Sequence, residues 1–173
     1  MVDKVAPVPK GFRTATPYLT VRGAAQAIAF YQAAFEAEEV ERFTAEDGMT
    51  VVHAQLKIGN SVLFLCDEQP HNGILSPAAL GGSGTLIHLY VKDAETLWQN
   101  ALEVGALPVA PLNETYWGDL SGKLIDPFGH VWSIASKVKR VASDEIRAQA
   151  RGEVSGDVLS APTDDQAIVA PLA

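Results

Sequence analysis

The chain has one cysteine, Cys66, among 173 residues. That excludes an internal disulfide framework and suits a reducing compartment. It has no basic run: 13 Lys and Arg stand against 21 Asp and Glu, and a net charge of −8 argues against a nucleic-acid partner. No apolar stretch approaches the roughly 18 residues of a membrane span, and residues 1–10 lack the apolar centre of a signal peptide. These absences predict a cytoplasmic protein with no nucleic-acid or membrane partner. Hydrophobic residues make up 47% and charged residues 20%, enough apolar material for one domain or two intimate halves.

What the chain does contain is an internal repeat. Tyr18-Leu19-Thr20-Val21 returns as His88-Leu89-Tyr90-Val91, and Gly59-Asn60-Ser61-Val62 as Gly129-His130-Val131-Trp132, both at an offset of 70 residues. Each half reads as strand, helix and three strands. In the first, a strand over 14–21 leads to a helix over 24–36, where Ala24, Ala27, Ile28, Tyr31 and Phe35 keep the helical period. Strands over 38–45, 50–58 and 61–66 follow. Alternation in the middle one puts Val52, Ala54, Leu56 and Ile58 on one face and Val51, His53, Gln55 and Lys57 on the other. The second half gives a strand over 85–91 and a helix over 94–104, with Asp93 as N-cap and Gly105 as its stop. Strands over 107–112, 116–125 and 131–135 complete it, with a turn at Asp126-Pro127-Phe128-Gly129.

A unit this small cannot bury its sheet alone. The pattern therefore predicts an α+β fold of two βαβββ modules, 12–67 and 85–140, forming a cupped mixed sheet with helices on the outside and a groove between concave faces. Residues 68–84 read as a flexible linker. Its Gly81-Gly82-Ser83-Gly84 is no phosphate loop, because a strand follows and no Lys-Ser/Thr is present. Residues 143–151 predict a short exposed helix, and 152–173 a disordered tail.

Strand alternation sends Leu19, Val21, Ile87, Leu89 and Val91 to the helices and Thr16, Tyr18, Thr20, His88 and Tyr90 to the groove. His53 and Gln55 face the groove by the same rule. His53 and His88 read as acid/base or recognition groups, as hydrogen-bonded histidines without chemistry, or, if the carboxylate of Asp119 joins them, as an unorthodox metal site. Tyr18, Tyr90, Tyr116 and Trp117 offer flat walls for an aromatic ligand, and Trp117 and Asp119 flank a glycine that permits close approach. His71 reads as solvated, His130 as structural, Trp98 and Trp132 as core, and Cys66 as an inert buried thiol. Asp67 and Glu68 read as solvated charge.

The paired modules, the leader Thr16-Pro17-Tyr18-Leu19 and Asp126-Pro127-Phe128-Gly129-His130 together resemble the vicinal oxygen chelate superfamily of glyoxalases, bleomycin-resistance proteins and extradiol dioxygenases. Tyr116-Trp117-Gly118-Asp119 and His130-Val131-Trp132-Ser133-Ile134-Ala135 are most similar to its PhnB-like branch. The resemblance covers residues 12–140. It implies a homodimer, and in metal-dependent members a His on the first strand of each module and a Glu on the last. The corresponding positions here are Thr16, Leu86, Leu63 (Phe64 for a turn one residue longer) and Ser133. None is His or Glu, and two aliphatics with two hydroxyls do not hold a transition metal. The expectation is no cofactor and no metal.

Three functions follow as expectations. The first is metal-independent binding or sequestration of an aromatic or polar metabolite or antibiotic, through Tyr18, His53, Gln55, His88, Tyr90, Tyr116, Trp117, Asp119 and Ser133. The second is a metal-dependent glyoxalase-like lyase, isomerase or dioxygenase using His53 and His88. The third is a non-catalytic interaction module.

Overall fold

The structure, a computed structural model, describes residues 6–156. Module one comprises β1 (Tyr18–Val21), α1 (Ala24–Phe35), β2 (Glu38–Thr44), β3 (Val51–Ile58) and β4 (Ser61–Asp67). A one-turn helix, α2 (Pro77–Leu80), lies between the modules. Module two comprises β5 (Leu86–Tyr90), α3 (Ala94–Glu103), β6 (Leu107–Glu114), β7 (Asp119–Ile125) and β8 (Val131–Lys137), and α4 (Ser143–Gly156) follows. Each module is one four-stranded mixed sheet, in orders β1-β4-β3-β2 and β5-β8-β7-β6. β1 runs parallel to β4 and β5 to β8; the other pairs are antiparallel. The α+β class and the two repeated modules are as the sequence predicts.

α1 covers one face of the first sheet and α3 one face of the second, and the two helices also pack on each other. A single apolar core runs through both modules, from Leu19, Val21, Leu56 and Leu65 through Ile28 and Phe35 to Trp98, Leu124 and Trp132. The modules are joined by a buried carboxylate. Asp126 Oδ2 accepts from Tyr31 Oη–H and Trp132 Nε1–H, both at 2.8 Å, and Oδ1 accepts from the backbone N–H groups of Phe128 and His130, both at 2.9 Å. Tyr31 is fully buried, and that burial, with the Asp126 carboxylate beside it, raises its phenol well above the ordinary tyrosine range.

Helix capping differs between the modules. Asp93 accepts from Thr96 N–H at 3.0 Å, as its position predicts. α1 begins at Gly23, which has no capping side chain. Its first donors are met from the end of β4: Asp67 Oδ1 accepts from Gly23 N–H at 2.9 Å and Ala24 N–H at 2.8 Å, and Oδ2 from Val51 N–H at 2.8 Å. The expectation of solvated charge at Asp67 and Glu68 is therefore corrected. Glu68 accepts from Arg22 Nε–H at 2.6 Å and from the hydroxyl of the fully buried Ser76. A carboxylate at a helix N-terminus also meets the positive end of the helix dipole.

Four other expectations need correction. The linker is not a featureless connection: Ser76 caps α2, and a Cβ on Gly129 would stand 2.8 Å from Pro77, so α2 is seated on the β7–β8 turn. Residues 116–118 are a turn rather than the start of β7. Val51, not Val52, is buried at the head of β3, because the pairing shifts register between Phe43 and Thr44 and leaves Val52 as an extra, exposed residue, the signature of a bulge. α4 continues through Gly152 to Gly156; the rest of the tail lies outside the described residues.

The C-cap of α1 is Glu36 in the left-handed region, φ 55°, and it is the one non-glycine residue with positive φ among those described. A side chain there costs about 1 kcal/mol that glycine does not incur. Glu36→Gly is expected to stabilise the protein by about that amount, raising the midpoint of thermal unfolding by roughly 2–4 °C. An unchanged or lower midpoint in calorimetry would contradict the assignment of strain.

Candidate functional site

With helices on one side, each sheet keeps one open face, and the predicted site residues divide between the two. On the first sheet, Tyr18 Oη lies 2.9 Å from His53 Nδ1. Phe64 underlies both rings, with centroids 5.5 Å from Tyr18 and 4.8 Å from His53, and Phe43 stacks on His53 at 6.2 Å. Gln55 shares a register row with Phe64 and Glu41. Burial, then the neighbouring Cys66 thiol, raises the Tyr18 phenol. Cys66 itself is buried, with Sγ 3.9 Å from Thr20 Oγ1. Phe64, not Leu63, occupies the open face: Leu63 is buried under the helix and Phe64 is the register partner of Tyr18. The two-versus-one choice between them is decided by the tight two-residue turn at Gly59-Asn60, which sends odd-numbered β4 residues inward.

On the second sheet, His88 Nδ1 lies 2.9 Å from Ser133 Oγ, its register partner, and the His88 and Tyr90 rings meet edge-on at 4.6 Å. Asp119 organises the rest. Its side chain is 1% exposed and pairs with Lys137 Nζ at 3.0 Å through Oδ1. Oδ2 accepts from Tyr90 Oη–H at 2.6 Å and Trp117 Nε1–H at 2.9 Å. Burial raises the Asp119 carboxyl, but the hydrogen bonds from Tyr90, Lys137 and Trp117 with the lysine charge outweigh it and hold it below the ordinary value. The hydrogen bond to Asp119, then burial, raises the Tyr90 phenol. Lys137 Nζ also donates to Trp117 O at 2.7 Å, and Tyr116 meets Trp117 edge-on at 4.7 Å. Asp119 thus holds an aromatic pair, Tyr90 and Trp117, in place.

No hydrogen bond, ring contact or strand pairing among the described residues joins the two open faces, and His53 and His88 are each engaged within their own sheet. His88 and Tyr90 also border a cleft of about 660 Å³ between β5, α3 and the β3–β4 turn, with Glu36, Lys57, Asn60 and Asp93 on its other walls. His130 is buried with Nε2 3.1 Å from Thr20 O, a structural bond between modules, and His71 sits exposed in a single turn of 3-10 helix. No three His, Cys, Asp or Glu side chains converge in metal-holding geometry among the described residues.

The family model for the glyoxalase/bleomycin resistance protein/dioxygenase superfamily matches residues 13–134. The chain belongs to that superfamily. A protein of Mycobacterium tuberculosis is 40% identical over 144 residues, covering 82% of this chain and 84% of the relative. The X-ray structure of a gene product of Arabidopsis thaliana is 31% identical and superposes with a TM-score of 0.56, covering 72% of this chain and 98% of that one. A PhnB protein of Bacillus cereus shares the fold at 19% identity and a TM-score of 0.55, over 72% and 99%.

Superfamily membership raises the question of a divalent metal, and the residues present do not suit one. Leu86 opens β5, Phe64 and the buried Ser133 lie on the sheet faces away from the helices, and Thr16 precedes β1. An aliphatic, an aromatic and two hydroxyls supply neither imidazole nor carboxylate to a borderline cation.

Proposed function

We propose that this superfamily member binds a small aromatic or polar molecule, without a resident metal, in a groove completed when the first-sheet face of one copy meets the second-sheet face of another. The observation that carries this reading is the way both open faces are prepared. Tyr18 is 51% and Tyr90 64% exposed, yet each phenol is tied by hydrogen bond to His53 or Asp119. Exposed aromatic side chains normally keep their rotamer freedom; fixing them in advance lowers the entropy lost when a ligand is bound. An open face bearing Tyr18, Phe43 and Phe64 is also more apolar than a solvated sheet face needs to be, which favours a covered homodimeric arrangement. The aromatic turn Tyr116-Trp117-Gly118-Asp119 and the Bacillus neighbour support placing the chain in the PhnB-like branch. The single cysteine agrees with a cytoplasmic setting.

The test combines sedimentation equilibrium, elemental analysis of protein purified without chelator or nickel, and titration with aromatic metabolites followed through Trp117 fluorescence, with Trp117→Phe as the blank. A dimer with substoichiometric metal and a saturable Trp117 response is expected. About one transition metal per chain together with turnover would overturn the reading in favour of an enzyme built on His53 and His88. A monomer with no response to any ligand would overturn it in favour of an interaction module.

A further inference from the structure

We infer that the second-sheet face is an oxyanion-recognition surface in which Lys123 and His88, the latter oriented by Ser133, select ligands carrying a carboxylate. This rests on the proposed groove and specifies the ligand that it takes. His88, Ser133 and Lys123 are successive register partners across β5, β8 and β7, so their side chains emerge from one face in one row. With adjacent strands roughly 4.8 Å apart, the row spans about 10 Å, within reach of a lysine side chain folding back over Ser133. Lys123 is exposed and its ammonium has no carboxylate within ion-pair distance among the described residues. The 2.9 Å bond between Ser133 Oγ and His88 Nδ1 orients the imidazole. With the hydroxyl donating to Nδ1, the neutral ring carries its proton on Nε2 and presents a donor beside the row.

Among the strand residues of this face the one carboxylate is held by a lysine, while Glu36 and Asp93 stand across the cleft that His88 borders. Alternation places residues 107, 110, 113, 119, 121, 123 and 125 of β6 and β7 with the row, and the only carboxylate in that set is Asp119. It is buried and ion-paired with Lys137, so its charge is neutralised on the spot. The whole chain carries −8, which disfavours long-range capture of an anion. Screening at physiological salt confines that effect to about 8 Å, and Lys123 is the exposed cation of the row itself. Tyr90 lies in the adjoining row, register partner of Ala135 beside Ser133, and supplies a flat apolar surface. The geometry therefore suits a small aryl carboxylate, its charged end on the row and its ring against Tyr90.

Benzoate and benzamide are matched probes, equal in shape and different in charge. Amide chemical shifts of the full-length chain, followed by NMR during titration with each, read both affinity and location. Benzoate is expected to perturb residues 88, 123 and 133 and to bind at least tenfold more tightly than benzamide, about 1.4 kcal/mol. Lys123→Gln should abolish that preference, and Lys10→Gln, an equal charge change in the exposed N-terminal segment, should preserve it. Equal binding of the two probes, or a preference that persists in Lys123→Gln, overturns the oxyanion assignment while leaving the groove reading intact. If neither probe perturbs either open face, both fall. A Lys123→Gln protein that sediments as monomer yet keeps the benzoate preference would assign Lys123 to the subunit contact instead, and would equally overturn the inference.

Discussion

Asp126→Ala is expected to destabilise the protein by roughly 3–5 kcal/mol, because it strands three buried donors and one half-buried one at once. Two of them, Tyr31 Oη and Trp132 Nε1, come from different modules, and the other two are the Phe128 and His130 backbone amides that shape the β7–β8 turn. Against a total stability of about 5–15 kcal/mol for a domain, such a loss removes a large share. The unfolding midpoint should fall by roughly 6–20 °C for a chain of this size, measured by calorimetry. Tyr31→Phe removes a single donor and leaves Asp126 three, so it should cost much less, about 1–2 kcal/mol.

The same pair sets an alkaline dependence, and Tyr31→Phe isolates it. The folded-state phenol is held above its unfolded value of 10.0, so the unfolded state loses its proton first as pH rises. The contribution is complete below pH 10 and declines as pH climbs through that value toward the folded-state titration. Urea midpoints compared at pH 8 and pH 11 should therefore fall more in the natural protein than in Tyr31→Phe. Equal falls in both would remove Tyr31 as the source.

Gly118→Ala is expected to cost roughly 2–5 kcal/mol through two additive causes. The residue sits at φ +87°, where a side chain is strained, and a Cβ there would lie 2.3 Å from Lys139 O and 3.0 Å from Val141 Cγ2. The carbonyl cannot retreat easily, because Gly118 O itself accepts from Val138 and Lys139 N–H at 3.1 and 3.0 Å. Gly48→Ala is the matching control: φ there is +70° with nothing within 4 Å, so it carries the conformational cost alone, about 1 kcal/mol. The difference between the two variants in chemical denaturation measures the clash. Any shift at Gly118 also displaces Trp117 from Asp119, so the near-ultraviolet dichroism of Gly118→Ala should weaken even where the protein stays folded. Equal losses in the two variants with an unchanged spectrum would show that the strand end yields without strain.

The two-module α+β plan is legible in the chain's own pattern, because duplication and period are local and additive. The helical spacing of Ala24, Ala27, Ile28, Tyr31 and Phe35, the cap at Asp93 and the turn at Asp126 depend only on neighbours along the chain. Alternation likewise assigned Tyr18, His53, His88 and Tyr90 to sheet faces away from the helices, and it failed at Val52, where one bulged residue inverts the pattern.

What surrounds those faces depends on packing between distant segments. Asp67 caps a helix that begins 44 residues earlier in the chain, and Asp126 receives a hydroxyl from 95 residues away. Such bonds join a side chain to a partner brought close by packing, and no periodicity announces them. The partners of Asp119, namely Tyr90, Trp117 and Lys137, are equally unannounced by the pattern of the chain. A strand pattern specifies which side a residue leaves the sheet from; the distance to a residue on another sheet is set by how α1 and α3 pack between the modules. That is why His53 and His88 could be placed on open faces from sequence, while their separation into two local pairs, with Tyr18 and Ser133 respectively, became visible only in the fold.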